Sequence, residues 1–196
     1  MSVPRPNPAL ESVPASVVEW VERLHGVVDE LATPLVKTHA ARLRCQSGCT
    51  GCCADGLSVF AIEAAVVARH YPELLAGAEP HADGACAFLD DRGACRIYEH
   101  RPYVCRTQGL PLRWLERDDE GPVEARDICP LNLDGPALEE LGADECWTVG
   151  PFEQRLGERQ HAVDGGKGER IALRSLFSGG RRHLPIVEPS GESPAK

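Results

Sequence analysis

Four thiols fall within nine residues of this chain, at Cys45, Cys49, Cys52 and Cys53 of CQSGCTGCC. Thiols that close together can converge on one point, and deprotonated sulfur is a strong ligand for zinc and for iron–sulfur clusters. Gly48 and Gly51 lie among them and relieve the crowding that side chains would cause where backbone amides approach cluster sulfurs. Cys86, Cys95, Cys105, Cys129 and Cys146 follow, so all nine cysteines lie between 45 and 146 and the flanks have none. An odd total fits a full disulfide set poorly. The opening MSVPRPNPALESVP lacks the apolar core of an export signal, which predicts a reducing, cytoplasmic setting. Metal ligation, redox chemistry and plain burial remain for the thiols.

Spacing weighs one metal against another. Structural zinc sites usually take two close cysteine pairs, but Cys49 with Cys52 is the one CxxC here, and Cys86, Cys95 and Cys105 are about ten residues apart. Iron–sulfur ligation more readily combines three or four thiols of one loop with remote ones, so an iron–sulfur cluster is the preferred cofactor and zinc the alternative. Neighbouring side chains of an extended segment point to opposite sides, so Cys53 is free to leave its loop and join Cys86, Cys95, Cys105 or Cys129. That gives either two four-thiolate sites or one site with reserve thiols. The CxxxCxxC spacing of Cys45, Cys49 and Cys52 is also that of radical S-adenosylmethionine enzymes. Gly51 stands where those have an aromatic residue, and the chain lacks the strand–helix alternation of a (β/α) barrel.

These residues need a scaffold. From about Pro14 to Leu43, Val17, Val18, Val21, Leu24, Val27, Val28 and Leu31 recur at helical spacing, with Pro34 predicted to kink or divide the helix. A second helix is predicted over about Ala61 to Tyr71, stopping before Pro72. CAFL and CRIY around DDRGA read as a small hairpin with Cys86 and Cys95 on its two arms, and a helical turn from Arg101 presents Cys105. LPLRWLER and PVEARDI form a second hairpin leading to Cys129. Helices follow near Ala137–Leu141 and Phe152–Val163, while Gly165, Gly166, Gly168 and the end from Ser178 read as flexible. The fold class is therefore α+β: a small, mainly helical domain with short hairpins around a cysteine-ligated metal centre. Residues 1–13 and 178–196 are expected to be flexible, leaving one domain over 14–177.

At this point the chain resembles the YkgJ-like cysteine-cluster family, the zinc- or iron-chelating CxxCxxCC domain proteins. The resemblance rests on CQSGCTGCC, on LSVFAIEA with Glu63, on CAFLDDRGACRIYEHRPYVCR from Cys86 to Arg106, and on Cys129 in DICPLN. It spans Cys45 to about Asn132, and its CxxxCxxCC spacing is one residue longer than the family's name. It implies metal chelation, with Cys45, Cys49, Cys52, Cys53, Cys86, Cys95, Cys105 and Cys129 as candidate ligands. Flagellin lysine N-methylases are similar in the same region, where an iron–sulfur cluster is implied, so a metal-dependent protein-modifying enzyme is the alternative reading.

Arg101 and Arg106 flank Cys105 and are placed to offset thiolate charge as supporting residues. Tyr98 and Pro102 read as packing residues, and Glu63 as a packing or capping residue. His100 in its EHR run reads as solvated, the other six histidines as incidental, and Cys146 beside Trp147 as core. A formal net charge of −9 argues against nucleic acid or an anionic membrane surface as partner. No apolar run approaches the roughly 20 residues of a membrane span. Phosphate-loop, GxSxG and HExxH motifs are absent, and Cys49 with Cys52 lacks the strand-then-helix setting of a thioredoxin-like redox pair. The expected partner is metal.

Overall fold

The computed structural model describes residues 8–46, 48–118 and 121–177. Among them six α-helices and two small sheets form a mixed α+β fold, as the sequence implies. Helix α1 (Pro8–Glu11) precedes the long α2 (Ala15–Thr38), whose Val17, Val18, Val21, Leu24, His25, Val28, Ala32 and Leu35 form one buried face. Two residues predicted on that face are off it: Val27 is 42% exposed and Leu31 53%. Pro34 does not divide the helix, and α2 is one helical element through it. Proline removes one N–H from the helix ladder, but Ala32 and Leu35 on either side stay packed in the core.

Strand β1 (Ser58–Phe60) leads directly into α3 (Ala61–His70), the predicted second helix. Every residue from Ala61 to Val67 is buried, as expected of a helix that is apolar all round. Ile62, Ala65 and Val66 pack with α2, Tyr103, Leu110, Trp147 and Leu156, whereas Ala61, Ala64 and Val67 pack with Phe88, Ile97, Ile171, Leu173 and Phe177. Helix α3 is thus the wall between two cores. Pro72, predicted only to end a helix, also opens the short α4 (Pro72–Gly77), where a missing N–H at the first position costs nothing.

Helix α5 (Tyr103–Arg106) is the predicted turn that carries Cys105. The predicted second hairpin is present as β2 (Leu112–Asp118) and β3 (Gly121–Asp127), and β4 (Trp147–Thr148) lies parallel to β2 with Leu112 opposite Trp147. The predicted CAFL–CRIY hairpin is reduced to a single bridge between Leu89 and Cys95. There the Asp90 carboxylate accepts the N–H groups of Arg92 at 2.9 Å and Ala94 at 2.7 Å, so a side chain shapes the turn where a longer ladder was expected. The predicted helix near Ala137 is only a 3₁₀ turn, Leu138–Glu140.

Helix α6 (Pro151–Asp164) ends at Gly165 in a left-handed cap. The glycines that follow read as flexible from sequence, but Asp164 accepts the N–H groups of Lys167 at 2.9 Å and Glu169 at 2.8 Å and makes them a defined turn. That turn delivers β5 (Arg170–Ala172), which pairs antiparallel with β1 in the register Val59 opposite Ile171. Of the ends predicted to be flexible, residues 1–7 and 178–196 lie outside the described residues, and Leu10 of α1 packs against both cores.

Candidate metal centre

The cysteine loop leaves α2 through two successive turns, in which the Cys49 N–H donates to the Gln46 carbonyl and the Cys53 N–H to the Thr50 carbonyl, both at 2.9 Å. Gly48 sits at φ +86°, a backbone conformation that favours glycine, where the loop lies beside the Arg92 carbonyl of the Asp90 turn. All nine cysteines are free thiols, and Cys45 and Cys52 are exposed.

Asn132 ties the loop to Cys129. Its side-chain amide faces the Cys45 sulfur at 3.6 Å and donates to the Gly109 carbonyl at 2.8 Å, its Oδ1 accepts the Arg44 N–H at 2.8 Å, and its own N–H donates to the Cys129 carbonyl at 2.8 Å. Buried Arg42 donates to the Asn132 carbonyl at 2.9 Å, which locks this segment to the end of α2. Gly109, at φ +93°, completes the cradle, because a Cβ there would overlap the Cys45 sulfur.

Cys53 faces a different set. Its carbonyl accepts the Cys86 N–H at 2.9 Å, the Cys86 carbonyl accepts the Leu89 N–H at 3.1 Å, and Leu89 bridges to Cys95. Cys86 and Cys95 pack on the core that holds Phe88 and Ile97, together with Val104 beside Cys105. Burial pushes the Cys105 thiol up to about 12, with the nearby sulfurs of Cys86, Cys95 and Cys53 and the Glu63 carboxylate adding to it. Burial, with neighbouring Cys52, Cys86 and Cys95 adding to it, raises Cys53 to about 12. Cys95 is raised by burial and Cys86, against the pull of the Ile97 N–H and of Arg101 and Arg96. Cys52 is raised by burial, with Cys49 and Cys45 adding to it. Cys146 is buried among Arg126, Arg113, Glu124 and Glu145, with no thiol among these neighbours.

Among the described residues, no three His, Cys, Asp or Glu side chains are already closed around one point. The donor chemistry nevertheless fits a thiophilic metal: sulfurs sit in mutual electrostatic reach, and Gly109 keeps open the space that Cys45 needs.

The supporting residues surround Cys105. Arg101 donates to the Cys105 carbonyl at 3.3 Å and the Tyr98 carbonyl at 2.9 Å, and lies 4.0 Å over the Tyr98 ring. Tyr98, predicted as packing, is 63% exposed, whereas Pro102 is fully buried. Arg106 pairs with Asp29 and donates to the Glu99 carbonyl at 3.0 Å, its Nε left without a partner. Glu63, 4% exposed, accepts the Tyr103 N–H at 2.8 Å and so caps α5, and it faces His25 Nε2 at 3.2 Å. This is the capping role predicted for it, exercised on a different helix. His25 and His39 are not incidental but buried, and His39 bonds the Glu145 carbonyl at 2.7 Å. His100 stacks on His70 with centroids 3.6 Å apart and bonds the Tyr71 hydroxyl at 3.0 Å, so the predicted solvation gives way to packing. A cleft of about 360 Å³ opens here, lined by His25, Asp29, His70, His100 and Arg106 among others, and His25 Nδ1 has no partner.

From behind, Arg174 fastens the thiol-bearing loops. It pairs with Asp55 at 2.9 Å and donates to the carbonyls of His81 at 2.6 Å, Ala85 at 2.8 Å and Ala82 at 3.3 Å. This contact and the adjacent Gly84 and Gly56 N–H groups hold the Asp55 carboxyl down at about 2.

Residues 44–130 match the CxxCxxCC family model, described as "Putative zinc- or iron-chelating domain". The matched segment includes eight of the nine cysteines. No curated protein and no solved structure matches the chain. No helix among the described residues is long and apolar enough to cross a membrane.

Proposed function

We propose that the chain holds metal through the thiolates of Cys45, Cys49, Cys52, Cys53, Cys86, Cys95, Cys105 and Cys129, as an iron–sulfur cluster in preference to zinc, in a structural, redox or metal-handling role. The observation that carries this reading is the crowding of eight thiols in the matched segment, where the Cys53 carbonyl accepts the Cys86 N–H and Asn132 and Gly109 cradle the Cys45 sulfur, while burial and neighbouring sulfurs oppose loss of the protons at Cys53 and Cys105. A bound cation inverts that logic, because it deprotonates each coordinating thiol and neutralises the repulsion between sulfurs. Arg101 and Arg106 add positive charge on the Cys105 side. A reducing, cytoplasmic setting would keep such thiols available to metal.

Purification without oxygen, followed by metal analysis and visible spectroscopy, tests this. Iron with acid-labile sulfide and broad visible absorption is expected, and a colourless protein carrying zinc selects the alternative metal. Protein that folds at full yield with less than half a metal per chain refutes chelation. The cleft lined by His25, Asp29, His100 and Arg106, with unpartnered His25 Nδ1 and Arg106 Nε, favours a second reading as a metal-dependent protein-modifying enzyme. Calorimetry with S-adenosylmethionine on the metal-loaded protein tests its methyl-transfer form, and absence of binding counts against that form.

A further inference from the structure

We infer that the cleft between α2, α3 and the chain from Glu99 to Arg106 is a binding site for a small organic ammonium ion, which donates a hydrogen bond to His25 Nδ1. The inference does not rest on the chelation reading, since no cysteine lines the cleft. Two residues of the lining point to a ligand. His25 is the first: only 3% of it is exposed, and its Nδ1 has no partner among the described residues. The other histidines of the lining are engaged, His70 Nε2 facing Glu22 at 2.6 Å and His100 Nδ1 the Tyr71 hydroxyl at 3.0 Å. The hydrogen-bond network assigns the His25 tautomer. The Glu63 carboxylate accepts the Tyr103 N–H and the His25 Nε2–H, so the neutral ring presents Nδ1 as a bare acceptor. A buried acceptor without a donor is costly, and a ligand N–H removes that cost.

Gly26 is the second. It lies in the interior of α2, where glycine is less favourable than any residue but proline. No neighbour demands its small size, because a Cβ there would meet nothing within 4 Å, and its φ is not in the left-handed region. Room for a ligand beside His25 accounts for a glycine that packing does not require. Charge then selects the sign of that ligand. The carboxylates of Glu22, Asp29 and Glu99 line the cleft against the single guanidinium of Arg106, which is already held by Asp29 and the Glu99 carbonyl and has Nε as its spare donor. An anion would meet one free N–H and three like charges, whereas an ammonium ion meets three carboxylates and the acceptor that lacks a donor. The volume of about 360 Å³ leaves room for an alkyl chain, and Val66 offers it an apolar wall.

Calorimetry on the full chain, purified without oxygen, tests this with n-butylammonium and with butyrate, an anion of similar size. Saturable binding of n-butylammonium but not of butyrate is expected. Glu99→Gln, which removes an exposed carboxylate of the lining, should weaken binding about two- to fivefold. His25→Gln keeps an amide donor for Glu63 but no acceptor at the Nδ1 position, and should weaken binding about tenfold or more. Gly26→Leu should abolish binding without lowering the melting temperature, because the new side chain enters open space in the cleft and not the core. If His25→Gln fails to fold, Gly26→Leu decides alone. Binding of butyrate instead, binding of neither probe, or n-butylammonium binding that Gly26→Leu leaves unchanged overturns the inference, and none of these results bears on the thiols.

Discussion

Replacing Glu63 probes how the protein scaffold presents Cys105. One Glu63 oxygen accepts the Tyr103 N–H at 2.8 Å and faces His25 Nε2 at 3.2 Å, with both side chains almost fully out of water. In Glu63→Ala the Tyr103 N–H and His25 Nε2 lose their partner together. An unsatisfied buried polar group costs about 1–3 kcal/mol, so two of them cost about 2–6 kcal/mol, before any term for the space left behind. That is a large share of the roughly 5–15 kcal/mol stability of a typical domain. Glu63→Gln keeps an oxygen for Tyr103 and a polar partner for His25, so its cost should be about 1 kcal/mol. Because the carboxylate also raises the Cys105 thiol, Glu63→Gln should lower the Cys105 pKa. Urea unfolding at fixed zinc, followed by far-UV circular dichroism, gives the stabilities, and the pH dependence of thiol alkylation by mass spectrometry gives the shift. The reasoning fails if Glu63→Ala loses less than about 1 kcal/mol, or if Glu63→Gln costs as much as Glu63→Ala.

Gly109→Ala should displace the Cys45 sulfur and strain a φ of +93°, at a cost of about 2–4 kcal/mol and a measurable fall in bound metal; unchanged melting temperature and metal content would contradict the cradle. Asp55 titrates at about 2 because of Arg174, below the ordinary carboxylate value of roughly 3.9, so its contribution is complete above that ordinary value and fades as pH falls toward 2. Allowing for solvent around the pair, Asp55→Asn should cost about 1 kcal/mol at pH 6, with the gap from the unaltered chain narrowing below about pH 4 and closing near pH 2; a gap that does not depend on pH would show that the ion pair contributes nothing.

The legible parts of this fold were those with local signals. The stripe of α2, the β2–β3 hairpin and the turn presenting Cys105 all follow from periodicity or turn residues within a few positions. Helix α3 was found, but not that both its sides are buried, because an apolar helix does not reveal how many cores it separates. Strand β1 was missed because three residues carry no period, and its partner lies near the far end of the described chain. The crowding of the cysteines was legible by type and spacing, whereas one site and two fit that spacing equally. Gln160 caps α3 by accepting the Ile62 N–H at 3.0 Å, and Asn132 orders Cys45, but each acts on a residue some ninety positions away. Nothing in CPLN or ERQH announces such contacts.

The pairing of β1 with β5, and the grip of Arg174 on the loops before Cys86, also set an order of events during synthesis. A growing chain emerges from the ribosome at about 5–20 residues per second, so residues 58–60 wait roughly 5–20 s for residues 170–172 to be made. In the last part of that interval, once residue 129 has been made, every thiol of the candidate centre has been translated while the strand and clasp that brace it have not. Metal insertion is therefore expected to finish after translation rather than during it. The nascent chain meanwhile depends on the reducing capacity of its surroundings to keep eight closely spaced thiols from oxidising in the wrong pairs.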